Sequence, residues 1–180
     1  MSRKRVQSIL FVCTGNICRS PLAQGLMEQA LAERGLAERF RVDSAGTHAH
    51  VGEMPHVLSV TVGAVDYGID ITSQRGRQIL REDFTSFDWM IALDSGHLAW
   101  MEQMRPADSR ASLRLLLGEE AHPQRDVPDP YGRRREAFEI SGRLIKQGVD
   151  RLLDTLVASA APRARSRTAP RRATRRGASS

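Results

Sequence analysis

Ser8-Ile9-Leu10-Phe11-Val12-Cys13-Thr14-Gly15-Asn16-Ile17-Cys18-Arg19-Ser20-Pro21 is the stretch that decides how this 180-residue chain folds. Residues 9–12 form a short apolar run with no polar alternation, the pattern of a strand buried on both faces. Ser20-Pro21 opens a helical pattern, with proline where the first turn of a helix tolerates it. The loop between them therefore joins a strand end to a helix N-terminus. Further strand-like runs at 40–42, 89–93 and 113–117 alternate with helical patterns. This predicts an α/β fold: a four-stranded parallel sheet with helices on both faces, three-layered and Rossmann-like. The loop after the first strand then lies at the carboxyl edge, where such sheets hold their ligands. One segment is ambiguous. Residues 56–63 have strand propensity, but their place between the second strand and Gly68 calls for a helix, and tertiary context is expected to win.

The loop packs a nucleophile, an anion cradle and a guanidinium into a few residues. Backbone N–H groups at a helix N-terminus carry partial positive charge and hold phosphate without a metal. A thiol at the rim of that field, with an arginine nearby, is drawn toward the thiolate, which makes Cys13 the candidate nucleophile. Arg19, five intervening residues on, can fold back and offer its planar fork to two phosphoryl oxygens, a geometry lysine does not match. Gly15 and Asn16 are expected to form the tight part of the loop, since both tolerate positive φ. Two structural cysteines in a strand-to-helix turn would leave Arg19 unexplained.

A phosphate ester also needs a proton for its departing oxygen. Val127-Pro128-Asp129-Pro130-Tyr131-Gly132 places one carboxyl between two prolines, and each proline restricts both itself and the residue before it. Rigid placement is what a general acid requires, so Asp129 is the candidate. Alone, the same string would read as a surface turn.

The string C-T-G-N-I-C-R-S-P after an apolar strand resembles the signature loop of the low molecular weight protein tyrosine phosphatases. Ser44-Ala45-Gly46-Thr47, Gly68-Ile69-Asp70, Arg75-Gly76-Arg77-Gln78 and Phe87-Asp88-Trp89-Met90-Ile91-Ala92-Leu93-Asp94 match in order and spacing, so the resemblance covers residues 6–157. It implies hydrolysis of phosphotyrosine monoesters through a cysteinyl-phosphate intermediate, with no metal and no cofactor. Cys13 is then the nucleophile of a catalytic phosphate loop, with Arg19 and Asp129 as its catalytic partners. Thr14, Gly15, Asn16, Ile17, Cys18, Ser20 and Ser44 bind phosphate or support the loop. Within that set Ser20 donates to the Cys13 sulfur, Asn16 braces the loop and Ser44 holds Asn16. His50 and Tyr131 are expected to wall the substrate.

Departures from the family pattern bear on substrate choice. The tryptophan usual after the Ser-Ala-Gly-Thr element is absent, and Thr47 is followed by His48-Ala49-His50 in a shortened loop. Gln74 stands where a histidine is common and His97 where an asparagine is. A single tyrosine follows Asp129, then Gly132 and three arginines. Ile17 favours a phenyl phosphate, whereas relatives resembling protein arginine phosphatases carry threonine there. The alternatives are such an arginine phosphatase, or an arsenate reductase using glutaredoxin, since no cysteine follows Cys18 to carry oxidation away. A non-enzymatic phosphate- or nucleic-acid-binding module is the remaining alternative, and it would need neither Cys13 nor Asp129.

Composition fits one small α/β domain, assigned to residues 1–161. Both cysteines lie in the loop, so no disulfide framework exists and a reducing, cytoplasmic location is expected. Cys18 either traps an oxidised Cys13 as a reversible disulfide or is simply a small buried residue. His48, His50 and His56 are read as loop residues near the cleft, because no carboxylate or cysteine joins them at ligand spacing. No stretch approaches a membrane span. The formal charge of +6 needs dividing. From 162 to 180 the chain holds seven arginines and no acid, in a background that cannot bury a core, so a disordered tail is expected. Removing those seven from 27 basic residues leaves 20 against 21 acidic ones. The tail is either a solvated extension or a weak anchor for an anionic partner, nucleic acid or lipid.

Overall fold

A computed structural model describes residues 5–118 and 125–160; the arginine-rich segment at 162–180 lies outside the described residues. In chain order the elements are β1 (Gln7–Cys13), α1 (Arg19–Glu33), a short 3-10 turn, β2 (Phe40–Gly46), α2 (Val57–Tyr67), α3 (Asp83–Ser86), β3 (Trp89–Ala92), α4 (Ser95–Met104), β4 (Ser112–Leu115) and α5 (Arg135–Ala160). The strands stand in the order β2-β1-β3-β4, and every pair is parallel. The expected α/β architecture is thus the observed one. β3 and β4 end at Ala92 and Leu115, short of the expected 93 and 117; the backbone N–H groups of Leu93 and Leu116 still donate to the Val12 and Ala92 carbonyls, and Leu116 and Leu117 join the core beneath α5.

Ile9, Leu10, Phe11 and Val12 have no exposed surface. Successive side chains of a strand point to opposite faces, so β1 divides the core in two. Ile9, Phe11 and Cys13 pack with apolar residues of α1, α2 and α5. Leu10 and Val12 pack with Phe84, Met90 and Met101 on the side of α3 and α4. In α5, Phe138, Ile145, Val149, Leu152, Leu153 and Leu156 recur at helical spacing and supply the stripe that covers α1.

The ambiguous segment is helical. In α2 the buried residues Ser59, Val62 and Gly63 face inward, and Gly68 closes the helix in the left-handed conformation with φ 67. Packing against α1 and α5 overrides the strand propensity of its β-branched residues.

Register brings the functional ends together. Cys13 pairs with Gly46 across β1 and β2, and Val12 pairs with Ala92 across β1 and β3. Chain direction across the sheet reverses at β1, since β2 lies on one side and β3 on the other. The crevice at that reversal is where the loop after β1 emerges.

Candidate active site

The loop is held from behind by one side-chain amide. Asn16 takes φ 55, a left-handed conformation that asparagine tolerates better than most residues. Its Nδ2 donates to Ser20 Oγ at 2.9 Å and to Ser44 Oγ at 3.0 Å, while its Oδ1 accepts from the Arg77 backbone N–H at 2.9 Å. Ser44 passes its own proton to Gln24 Oε1 at 2.8 Å. Ser20 Oγ, already an acceptor from Asn16, lies 2.9 Å from Cys13 Sγ, to which its hydroxyl can donate in preference to the Ala45 carbonyl at 3.5 Å. Gly15, expected to share the positive φ, does not; only Asn16 bears the turn, because its three hydrogen bonds compensate the conformation. Gly46 is needed instead for a close approach. A Cβ there would stand 2.4 Å from the Thr14 carbonyl oxygen.

Arg19 is buried, at 3% exposure, and is gripped by three groups from elsewhere in the chain. Its Nη1 donates to Asp94 Oδ2 at 2.7 Å and to the Val127 carbonyl at 3.1 Å. Its Nη2 lies 3.5 Å from Asp129 Oδ2. Asp94 follows β3 and caps α4, accepting from the His97 backbone N–H at 2.9 Å. His97 Nδ1 also lies 2.9 Å from Asp94 Oδ1, close but poorly aligned, so the attraction is chiefly electrostatic. Burial by itself would raise the Asp94 pKa, but the His97 contacts and the Arg19 guanidinium outweigh it and hold the carboxyl well below the usual carboxylate range. Asp129 is tied by the Tyr131 N–H to its Oδ1 at 3.2 Å, while the carboxyl itself is exposed.

These groups meet at a cleft of about 220 Å³ lined by Cys13, Thr14, Gly15, Ile17, Cys18, Arg19, His50, Glu53, Asp129 and Tyr131. Asn16, Ser20 and Ser44 sit behind it. A larger hollow of about 300 Å³ opens between α4, β4 and α5 and contains no nucleophile. Burial, with the neighbouring Cys13 sulfur, pushes the Cys18 thiol up to about 12, a contact to Ser59 opposing only in part. Glu53, the role of Asp94 and the link from His97 are not read from the sequence. Asp94 carried a signal all the same, as a carboxylate at the carboxyl end of a parallel strand. The three histidines separate: His48 meets Trp100 edge-on, His50 lines the cleft and His56 stacks on Phe138 at 4.9 Å. Among the described residues no group of His, Cys, Asp or Glu is placed to hold a metal ion.

A sequence model of the low molecular weight phosphotyrosine protein phosphatase family matches residues 8–161. The chain belongs to that family. Among relatives, the low molecular weight protein-tyrosine-phosphatase YfkJ of Bacillus subtilis is 34% identical over 151 residues, 83% of this chain and 95% of that protein. The low molecular weight phosphotyrosine protein phosphatase of Schizosaccharomyces pombe is 40% identical over 132 residues, 71% of this chain and 82% of that protein. The crystal structure of YfkJ superposes with a TM-score of 0.82 at 33% identity, over 89% of this chain and 100% of that one. The fold of this chain is thus that of a phosphatase family. Among the described residues no helix is long and apolar enough to cross a membrane.

Proposed function

We propose that the chain hydrolyses phosphotyrosine monoesters in proteins by two displacements at phosphorus, with Cys13, Arg19 and Asp129 as the catalytic groups. The Cys13 thiolate attacks phosphorus in line and the ester oxygen departs, taking a proton from the Asp129 carboxyl. Water then attacks the cysteinyl phosphate, gives its proton to the Asp129 carboxylate, and releases phosphate and the thiolate. Arg19 and the loop amides hold the equatorial oxygens, where charge is spread in both transition states. Ser20 steadies the sulfur through the proton that Asn16 leaves it.

The observation that carries this reading is the convergence of Asp129, from far along the chain, on the cleft that Cys13 and Arg19 of the loop line. Ile17 inside the cleft and Tyr131 at its mouth favour a phenyl ring over a phosphoguanidine. His50, Tyr131 and Glu53 form the wall in place of the missing tryptophan. The domain is taken as residues 1–161, which leaves 162–180 outside the chemistry. Two free neighbouring thiols suit a reducing compartment such as the cytoplasm.

Turnover of para-nitrophenyl phosphate and of a phosphotyrosine peptide tests the assignment. Cys13→Ser is expected to lose about 10⁴-fold in kcat, as removal of a nucleophile does. Asp129→Asn is expected to slow esters of poor leaving groups far more than para-nitrophenyl phosphate. Full activity in Cys13→Ser would refute the mechanism.

A further inference from the structure

We propose that His97 is a positioning residue of the phosphatase reaction, joining the phosphate loop to the carboxylate that steers Arg19. The inference rests on the active-site reading above and adds a residue outside the cleft wall. His97 is 5% exposed and sits in the first turn of α4. Its Nε2 lies 2.8 Å from Thr14 Oγ1, and its Nδ1 and backbone N–H both lie 2.9 Å from Asp94 Oδ1. Thr14 lines the cleft, and the other oxygen of Asp94 holds Arg19 Nη1 at 2.7 Å. One imidazole thus ties an arm of the site from the end of β1 to an arm from the end of β3.

The chemistry of the ring suits the position. A carboxylate only accepts, so a proton on the nitrogen beside Asp94 suits that contact and leaves Nε2 to accept from the Thr14 hydroxyl. A ring buried merely to fill space leaves its polar atoms costly, and an apolar residue would pack there at less cost. Here Nε2 is hydrogen-bonded to Thr14, and Nδ1 lies against Asp94 without the alignment of a hydrogen bond, so both nitrogens face groups of the phosphate site. Loosening the tie lets the loop and the guanidinium shift relative to each other. Because both grip the equatorial oxygens hardest in the transition state, such slack lowers kcat more than it weakens substrate binding.

The test uses the full chain and para-nitrophenyl phosphate, with His97→Ala, Thr14→Val and the double variant. His97→Ala is expected to lose about tenfold in kcat with KM within about twofold. The double variant is expected to lose no more than His97→Ala alone, since both changes cut one connection. A kcat within twofold of wild type, a rise in KM alone, or losses that multiply in the double variant overturns the proposal. Should His97→Ala fail to fold, Thr14→Val decides: it keeps the side-chain shape, and an unchanged kcat overturns the tie. An inactive wild type would bring down the phosphatase reading itself, a result distinct from an active wild type with an indifferent His97.

Discussion

Asn16 lies behind the cleft and Glu53 lines it. Asn16 is buried, sits in a left-handed conformation and commits its whole amide to Ser20, Ser44 and the Arg77 backbone. Glu53, with His50 and Tyr131, belongs to exposed loops from two distant parts of the chain. The floor that holds Cys13 and Arg19 is over-determined, which keeps donors at fixed distances from a phosphoryl group. Among the described residues the rim side chains of His50, Glu53 and Tyr131 show no comparable hydrogen-bond network, so substrate choice can vary there without disturbing the chemistry. Changes to the floor should therefore act on kcat, and changes to the rim on KM.

Arg19→Lys should break the floor most severely. Lysine keeps the charge but loses the fork that reaches Asp94, Val127 and the phosphoryl oxygens together, so kcat/KM for para-nitrophenyl phosphate should fall about 10³-fold. A loss below tenfold would mean that charge alone suffices and that the grip on Arg19 is incidental.

Asn16→Ala acts one layer back. It leaves the Ser20 and Ser44 oxygens and the Arg77 N–H without their partner and removes the residue suited to φ 55. Stability to urea should drop by about 1–3 kcal/mol, the cost of leaving buried polar groups unpaired. Turnover should fall with it, and a variant that loses stability but keeps kcat would show that the amide supports the fold and not the loop.

Much of this floor is legible in the sequence because it is local. Strand, loop and helix follow one another within residues 7–33, so apolar run, tight turn and proline can be read in order. Asp129 is legible for another reason, as flanking prolines restrict it before anything packs on it. The roles of Asp94, His97 and Glu53 are not legible, since each depends on where β3, α4 or a loop of the second crossover comes to rest. Even inside the loop, sequence alone divides the turn between Gly15 and Asn16, and only the hydrogen bonds of Asn16 show which residue bears the positive φ. The helix over α2 is the same lesson in fold: its residues favour a strand, and the packing of α1 and α5 decides otherwise.

Asp94 links floor to stability through pH. Its carboxyl is held below the usual range in the folded protein, so it stabilises the fold above the unfolded value of about 4, and that contribution is lost as the pH falls through the folded value. Asp94→Asn cannot titrate. Its urea midpoint should change less than that of wild type between about pH 5 and about pH 3, and parallel slopes would show that the contacts of Asp94 do not favour its charged form.

Tyr131→Ala should give the smallest effect and the sharpest test of the division between floor and rim. Tyr131 is 63% exposed, and His56, stacked on Phe138, meets its ring edge-on at 6.0 Å. That support places an aromatic face at the cleft mouth without tying it to any group of the floor. A ring stacked there contributes about 0.5–1.5 kcal/mol to holding a phenyl phosphate, which corresponds to a rise in KM of about two- to tenfold on its removal. Inhibition by inorganic phosphate, which has no ring, should be unchanged, and so should kcat. If kcat falls instead, Tyr131 acts on the placement of Asp129, whose carboxyl its backbone N–H already holds, and the rim is then part of the floor.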